Sequence, residues 1–207
     1  MISHALTIVI NEMNKHFEVA YNAPAISVGM GNLAEGVGNN GLPREMLYLS
    51  LVNIKEEKAL KNIPNFVRDD IKLTAVYENP PVCLNFQVLM SATHANYTNA
   101  LLVLSRAIRF FQFRNVFTQD NVDKNSMLDG KPANSLDQLE SFKLIFDLYS
   151  PTMEEVNHLW GTLGGKQYPF VLYMLRMLEL KFKAVQSETG LITDVISDFY
   201  QKNSAVN

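Results

Sequence analysis

Four histidines, one cysteine, two pairs of adjacent glutamates and two glycine clusters are the features of this 207-residue chain that suit catalysis or ligand binding. His4, His16, His94 and His158 are scattered and form no histidine pair four residues apart, so a metal site is not predicted. Glu56-Glu57 and Glu154-Glu155 would serve glycosidase-like acid–base chemistry only if two carboxyls faced each other about 5–9 Å apart across a cleft. As neighbours in sequence they read as solvated strand and helix ends. Ser91 and Ser105 stand outside any Gly-x-Ser-x-Gly elbow. Cys83 falls in a strand pattern and reads as a small buried hydrophobe. Gly29-Met30-Gly31 with Gly36 misses the dinucleotide fingerprint, because position 34 is Ala and no helix pattern opens there, so these read as turn glycines. Gly164-Gly165-Lys166 ends a helix, whereas phosphate cradles need a helix start. The reading is a non-enzymatic scaffold without cofactor or metal. Arg106 and Arg109, one helical turn apart, could grip a carboxylate on a protein partner.

The elements that carry these residues centre on Thr74–Phe117. Val82, Leu84, Phe86, Val88, Met90 and Ala92 alternate with Cys83, Asn85, Gln87 and Ser91, which predicts a strand with one face in the core. Leu101, Leu104, Ile108 and Phe111 then recur at helical spacing, so the strand feeds a helix that lies back across it. Ile2, Leu6, Val9, Ile10, Met13 and Phe17 predict a covering helix over 2–18. Residues 34–44 are Gly/Asn-rich and read as a mobile loop. Glu45–Glu57 is apolar on both faces and predicts a central strand covered twice. Residues 58–73 read as an irregular excursion and 115–140 as a long loop.

Ser141–Tyr149 alternates, with Phe142, Leu144, Phe146 and Leu148 on one side. A helix over Thr152–Leu163 carries Val156, Leu159, Trp160 and Leu163 as its buried stripe. Thr152 and Glu155 fit a capping box there, with Ser150-Pro151 a competing start. Pro169–Lys183 predicts the last long strand. The expected organisation is a domain over 1–183 and a tail over 184–207. In that tail Leu191, Ile192, Val195, Ile196 and Phe199 fit a short amphipathic helix that needs a partner.

Composition bounds the function. Hydrophobic residues make up 47% of the chain, enough for one filled core. A net charge of -3 and a pI of about 5.8 leave no basic stripe for nucleic acid. A single cysteine excludes an internal disulfide. No apolar run approaches the roughly 20 residues of a membrane span. The N-terminal Met1-Ile2-Ser3-His4 lacks a basic n-region, which predicts cytoplasmic synthesis without a signal peptide.

Several blocks occur in a familiar order. They are Met1–Leu6, Leu51-Val52-Asn53-Ile54 with Glu56-Glu57, Asn79-Pro80-Pro81, Leu84-Asn85, and Leu104-Ser105-Arg106 running to Phe110-Phe111-Gln112. Val116-Phe117, His158-Leu159-Trp160, Leu163-Gly164-Gly165, Tyr168-Pro169, Tyr173 and Arg176 follow. This ordered set resembles the tail-cap, or tube-terminator, proteins of contractile injection systems, typified by antifeeding-prophage and virulence-cassette particles.

The resemblance implies an α+β fold with a mixed, mainly antiparallel sheet flanked by helices, like phage tail terminators. It also implies a homohexameric ring on the distal end of the inner tube and sheath, in a phage-tail-like particle, without nucleic acid or membrane insertion. Arg106, Arg109, Glu56, Glu57, Lys181, Lys183, Ile192, Val195 and Phe199 are then the expected protein-interface residues. The alternative is a monomeric adaptor that binds a partner through the C-terminal helix.

Overall fold

The computed structural model describes residues 1–21, 26–38, 41–58, 64, 66–69, 71–77, 79–139, 141–180 and 187–190. The chain forms two compact units, Met1–Lys61 with Pro81–Leu180, and Asn62–Pro80 with Lys181–Asn207.

The larger unit is built on six strands: β1 (Ser27–Met30), β2 (Met46–Glu56), β5 (Val82–Ala92), β6 (Val116–Thr118), β7 (Lys143–Tyr149) and β8 (Phe170–Leu180). Their order in the sheet is β1-β2-β5-β8-β7-β6. Only β1–β2 is parallel. The smaller unit is an antiparallel sheet in the order β3-β4-β9, from Phe66–Asp69, Thr74–Tyr77 and Ser187–Gly190.

Helices α1 (Ile2–Tyr21) and α2 (Tyr97–Phe113) cover one face of the large sheet. The alternation in β5 carries through: Phe86, Val88, Met90 and Ala92 lie in one core with Leu47 and Leu49 of β2, while Leu89 lies in the other. The first core is aromatic. Phe111 sits 4.8 Å from Phe146 and 4.7 Å from Tyr173 between ring centroids, with Phe110 and Phe117 against it. The opposite face carries α4 (Met153–Thr162) and a smaller cluster of Leu33, Tyr48, Leu89, Trp160 and Leu172.

Thr152 caps α4 in a complete capping box with Glu155, so the Thr152 start prevails over Ser150-Pro151. Gly164 and Gly165 stop the helix at φ 91° and 77°, and the Gly165 N–H reaches the Trp160 carbonyl at 2.7 Å.

Several expectations are corrected. Phe66–Asp69 is a strand within 58–73, where an irregular excursion is expected, and it pairs with Thr74–Tyr77 in the small sheet. Residues 115–140 are not one loop: they hold β6, α3 (Lys124–Leu128) and a 3₁₀ turn at Ser135–Asp137. The order there comes from α1. His4 bonds to Met127 and Leu139, Asn11 bonds to the Ser126 and Asp129 carbonyls, Glu12 accepts from Arg114 and the Asp123 N–H, and Lys15 pairs with Asp123. The buried stripe of α2 is Ala100, Val103, Leu104, Ala107, Phe110 and Phe111, so Leu101 and Ile108 face outward. In β2 a register shift between Leu51 and Asn53 ends the double covering, and Leu51 and Ile54 are exposed. Leu148 in β7 is also exposed.

Candidate assembly interface

The histidines, glutamate pairs and cysteine are dispersed over the fold. One cavity of about 380 Å³ gathers Glu12, Lys15, His16, Arg114, Asp120 and Asp123, and the His94 Nδ1 and Ser91 Oγ atoms are buried without a hydrogen-bond partner. His4 is buried. Its Nδ1 accepts the Leu139 N–H at 3.0 Å and its Nε2 faces the Met127 carbonyl at 3.1 Å, an arrangement that assigns the ring proton to Nε2. His16 packs among Phe17, Tyr21, Phe110 and Phe113, with ring centroids 5.2–6.3 Å away. Burial, then the charge of Arg114, pushes its pKa below the usual histidine value. His158 lies 3.7 Å from Glu154, one helical turn earlier on the exposed side of α4. Among the described residues no three metal-ligating side chains come together.

The glutamate pairs do not converge. Glu155 accepts the Thr152 N–H and the Tyr149 hydroxyl, both at 2.8 Å, and these bonds hold its carboxyl below the ordinary range. Glu57 accepts from Asn85 Nδ2 at 2.8 Å, while Glu56 is exposed at the end of β2. Cys83 is buried.

Gly29 and Gly31 are glycines of close approach rather than turn glycines. A Cβ on Gly31 would meet Leu42 at 2.8 Å and Tyr48 at 2.9 Å, and one on Gly29 would meet Met46 at 3.0 Å. A groove of about 550 Å³ runs between the start of α1, the middle of β2 and the end of α4. Ile2, Leu6, Met30, Leu51, Leu159 and Leu163 line it, and none of its lining residues is ionisable.

What the fold offers instead is surface. Asn96 caps α2 by accepting from the Thr98 and Asn99 N–H groups, which fixes the helix with two apolar sides. The side away from the sheet exposes Tyr97 by 67%, Leu102 by 49%, Leu101 by 42% and Phe113 by 71%. Scattered apolar residues are ordinary at a surface, whereas several on one helix mark a contact region.

Arg106 is committed within the chain: its guanidinium carbon lies 4.4 Å above the Tyr21 ring of α1, a cation–π contact. Arg109 is exposed. The two arginines therefore do not form the matched claw that their spacing suggests. Lys181, Lys183, Ile192, Val195 and Phe199, with the expected 191–199 helix, lie outside the described residues.

The outer side of α2 escapes the sequence reading because the helix is apolar nearly all round. Leu101, Leu102, Val103, Leu104, Ile108, Phe110, Phe111 and Phe113 exceed what a single buried stripe requires, and that excess is the signal that could reveal it.

The sequence profile of the Pvc16 N-terminal domain matches residues 3–194. Among solved structures the chain is similar to the PVC sheath/tube terminator in its extended state, from an extracellular contractile injection system. The TM-score is 0.55 at 13% identity, covering 96% of this chain and 64% of that one. It is likewise similar to the tube-terminating cap of the anti-feeding prophage, with a TM-score of 0.56 at 13% identity, covering 92% of this chain and 60% of that one. The chain thus spans under two thirds of the length of either structure. No curated protein matches it.

Proposed function

The chain belongs to the Pvc16 N-terminal domain family, and from that premise we propose that it is a structural cap. In this reading it forms a homohexameric ring on the distal end of the inner tube and sheath of a phage-tail-like contractile particle and ends their growth. The observation that carries the reading is the family match over residues 3–194, in a chain whose fold is shared with two tube terminators.

The physics suits a lid. Stacked rings grow while the last one offers an open face, so a terminator must match that symmetry and present nothing complementary beyond it. Six modest contacts held in one ring release slowly together. Work of this kind needs no catalytic set, cofactor or metal. The acidic balance suits a tube end that does not grip nucleic acid.

The outer side of α2, with Tyr97, Leu101, Leu102, Phe113 and Arg109, is one half of the contact between copies. The Glu56-Glu57 end of β2 is the oppositely charged half. Heterologous contacts of this kind close into rings. Lys181, Lys183, Ile192, Val195 and Phe199, in or next to the 184–207 tail, are assigned to contacts with the neighbouring copy or the tube.

Deleting the gene from a particle-producing strain tests the role. Particles of uncontrolled length, or none, are expected in electron micrographs. Particles of normal length and number would refute it. Native mass spectrometry tests the ring, with a six-fold species formed alone or on added tube ends as the expected result.

A further inference from the structure

A six-stranded open sheet has two edges, and each edge strand carries backbone N–H and C=O groups that can pair with a strand from another molecule. In this chain an asparagine side chain occupies part of each edge strand, β1 and β6. At β1 the Gly31 N–H bonds to the Leu49 carbonyl, so by two-residue alternation Val28 turns its N–H and C=O away from β2. Asn14, held on α1, takes both: its Oδ1 accepts the Val28 N–H at 2.8 Å and its Nδ2 donates to the Val28 carbonyl at 3.1 Å.

At the far edge, Val116 and Thr118 of β6 flank Phe117, which stands opposite Leu144 of β7. Asn121 donates from Nδ2 to the Val116 carbonyl at 3.0 Å and accepts the Thr118 N–H at 2.9 Å. The Thr118 carbonyl accepts from the Asn121 and Val122 N–H groups at 3.2 Å.

We propose that Asn14 and Asn121 act as stand-in strands that close the edge strands β1, at Val28, and β6, at Val116 and Thr118, to strand addition. Asparagine suits the task because its planar amide carries the same donor and acceptor as a peptide group. Aspartate would supply only the acceptor, and serine could not span both backbone groups. The Asn14 amide sits on a twenty-residue helix anchored in the core, and the Asn121 amide sits on a turn tied to β6 itself. Both are therefore fixed before any partner strand arrives. The idea does not rest on the capping role. For a molecule gathered in several copies at one place, though, open edges would recruit further chains without limit.

The test uses the full chain as Asn14→Ala, Asn121→Ala and the double variant, with Asn11→Ala as control. Asn11 bonds to the Ser126 and Asp129 carbonyls and touches no sheet edge. Amide exchange at Val28 and Thr118 should quicken by about tenfold or more in the matching variant. Sedimentation and native mass spectrometry across a concentration series should then show polydisperse species larger than any wild-type state, most abundant in the double variant. Asn11→Ala should keep the wild-type distribution.

The proposal is overturned if the folded edge variants exchange faster yet keep the wild-type distribution, or if Asn11→Ala associates as much as they do. Unchanged exchange would overturn it too. If Asn14→Ala does not fold, Asn121→Ala decides alone, since the Asn121 side chain is exposed and lies outside the core. None of these outcomes touches the tube, so the capping role stands or falls separately.

Discussion

The two faces of the large sheet are built unequally. Against one lie α1 and α2, and between them and the strands Phe17, Phe86, Phe110, Phe111, Phe117 and Phe146 are all fully buried. Against the other lies the ten-residue α4, where Trp160 alone of the helix is buried and its Nε1 has no hydrogen-bond partner. Val156, Leu159 and Leu163 beside it are only partly covered. The first face holds the fold together by area and ring contacts. The second is a thin cover pinned at its ends by a capping box and two glycines.

The sharpest way to break this comparison is Phe111→Ala. The ring touches Phe110, Phe117, Phe146 and Tyr173, and its loss should cost about 3–5 kcal/mol. Urea unfolding of the two proteins measures it, and a loss under about 1 kcal/mol would mean that this core repacks freely. On the thin face, Trp160→Phe should cost much less, about 1 kcal/mol. The smaller ring leaves space, but the substitution removes a buried N–H that has no partner. Equal losses from Phe111→Ala and Trp160→Phe would erase the distinction between the faces.

How much of this was legible in the sequence follows the same division. The strands β2, β5 and β8 show up because each buries side chains against an apolar layer, and alternation records that directly. The alternation misleads toward the strand ends, at Leu51 and Ile54 beside the shift in β2, at Val82 in β5 and at Leu148 in β7, where pairing geometry rather than composition decides exposure. Spacing does not fix the phase of α2, because Leu101 and Ile108 are as apolar as the residues that pack inward.

Residues 115–140 were illegible for another reason. Their order depends on His4, Asn11, Glu12 and Lys15, more than a hundred positions away, and no local pattern reports such partners. The edge-closing amides of Asn14 and Asn121 are hidden in the same way. Of the interface residues inferred from sequence, Arg106 proved bound to Tyr21, which spacing alone could not show.

A third, smaller effect isolates the ends of α4. Thr152→Ala removes one half of the capping box and should cost about 1 kcal/mol, read as a drop in Tm and fraying of the first turn in amide exchange. If the helix were held chiefly by its buried stripe, as α2 is, the first turn would stay protected.

The smallest effect is a matter of pH, and it separates the two faces in order. His16, against the α1–α2 core, has a lowered pKa from burial and then Arg114. Its contribution is therefore complete above the unfolded value of about 6.5 and is lost as pH falls from there through the folded value. Glu155, at the cap of α4, is held low first by the Thr152 N–H and then by the Tyr149 hydroxyl. Its contribution is complete above the unfolded value of about 4.3 and is lost only as pH falls through its depressed folded value.

Acid should therefore loosen the ends of α1 and α2 before the start of α4. Replacing each group by one that does not titrate checks the order. His16→Gln should lose the part of the pH dependence that sets in as pH falls below about 6.5, and Glu155→Gln only the part that sets in below about 4.3. A Glu155→Gln profile parallel to wild type down to the lowest pH would mean that the cap carboxylate adds nothing, leaving the glycine stop and the apolar stripe to hold α4 by themselves.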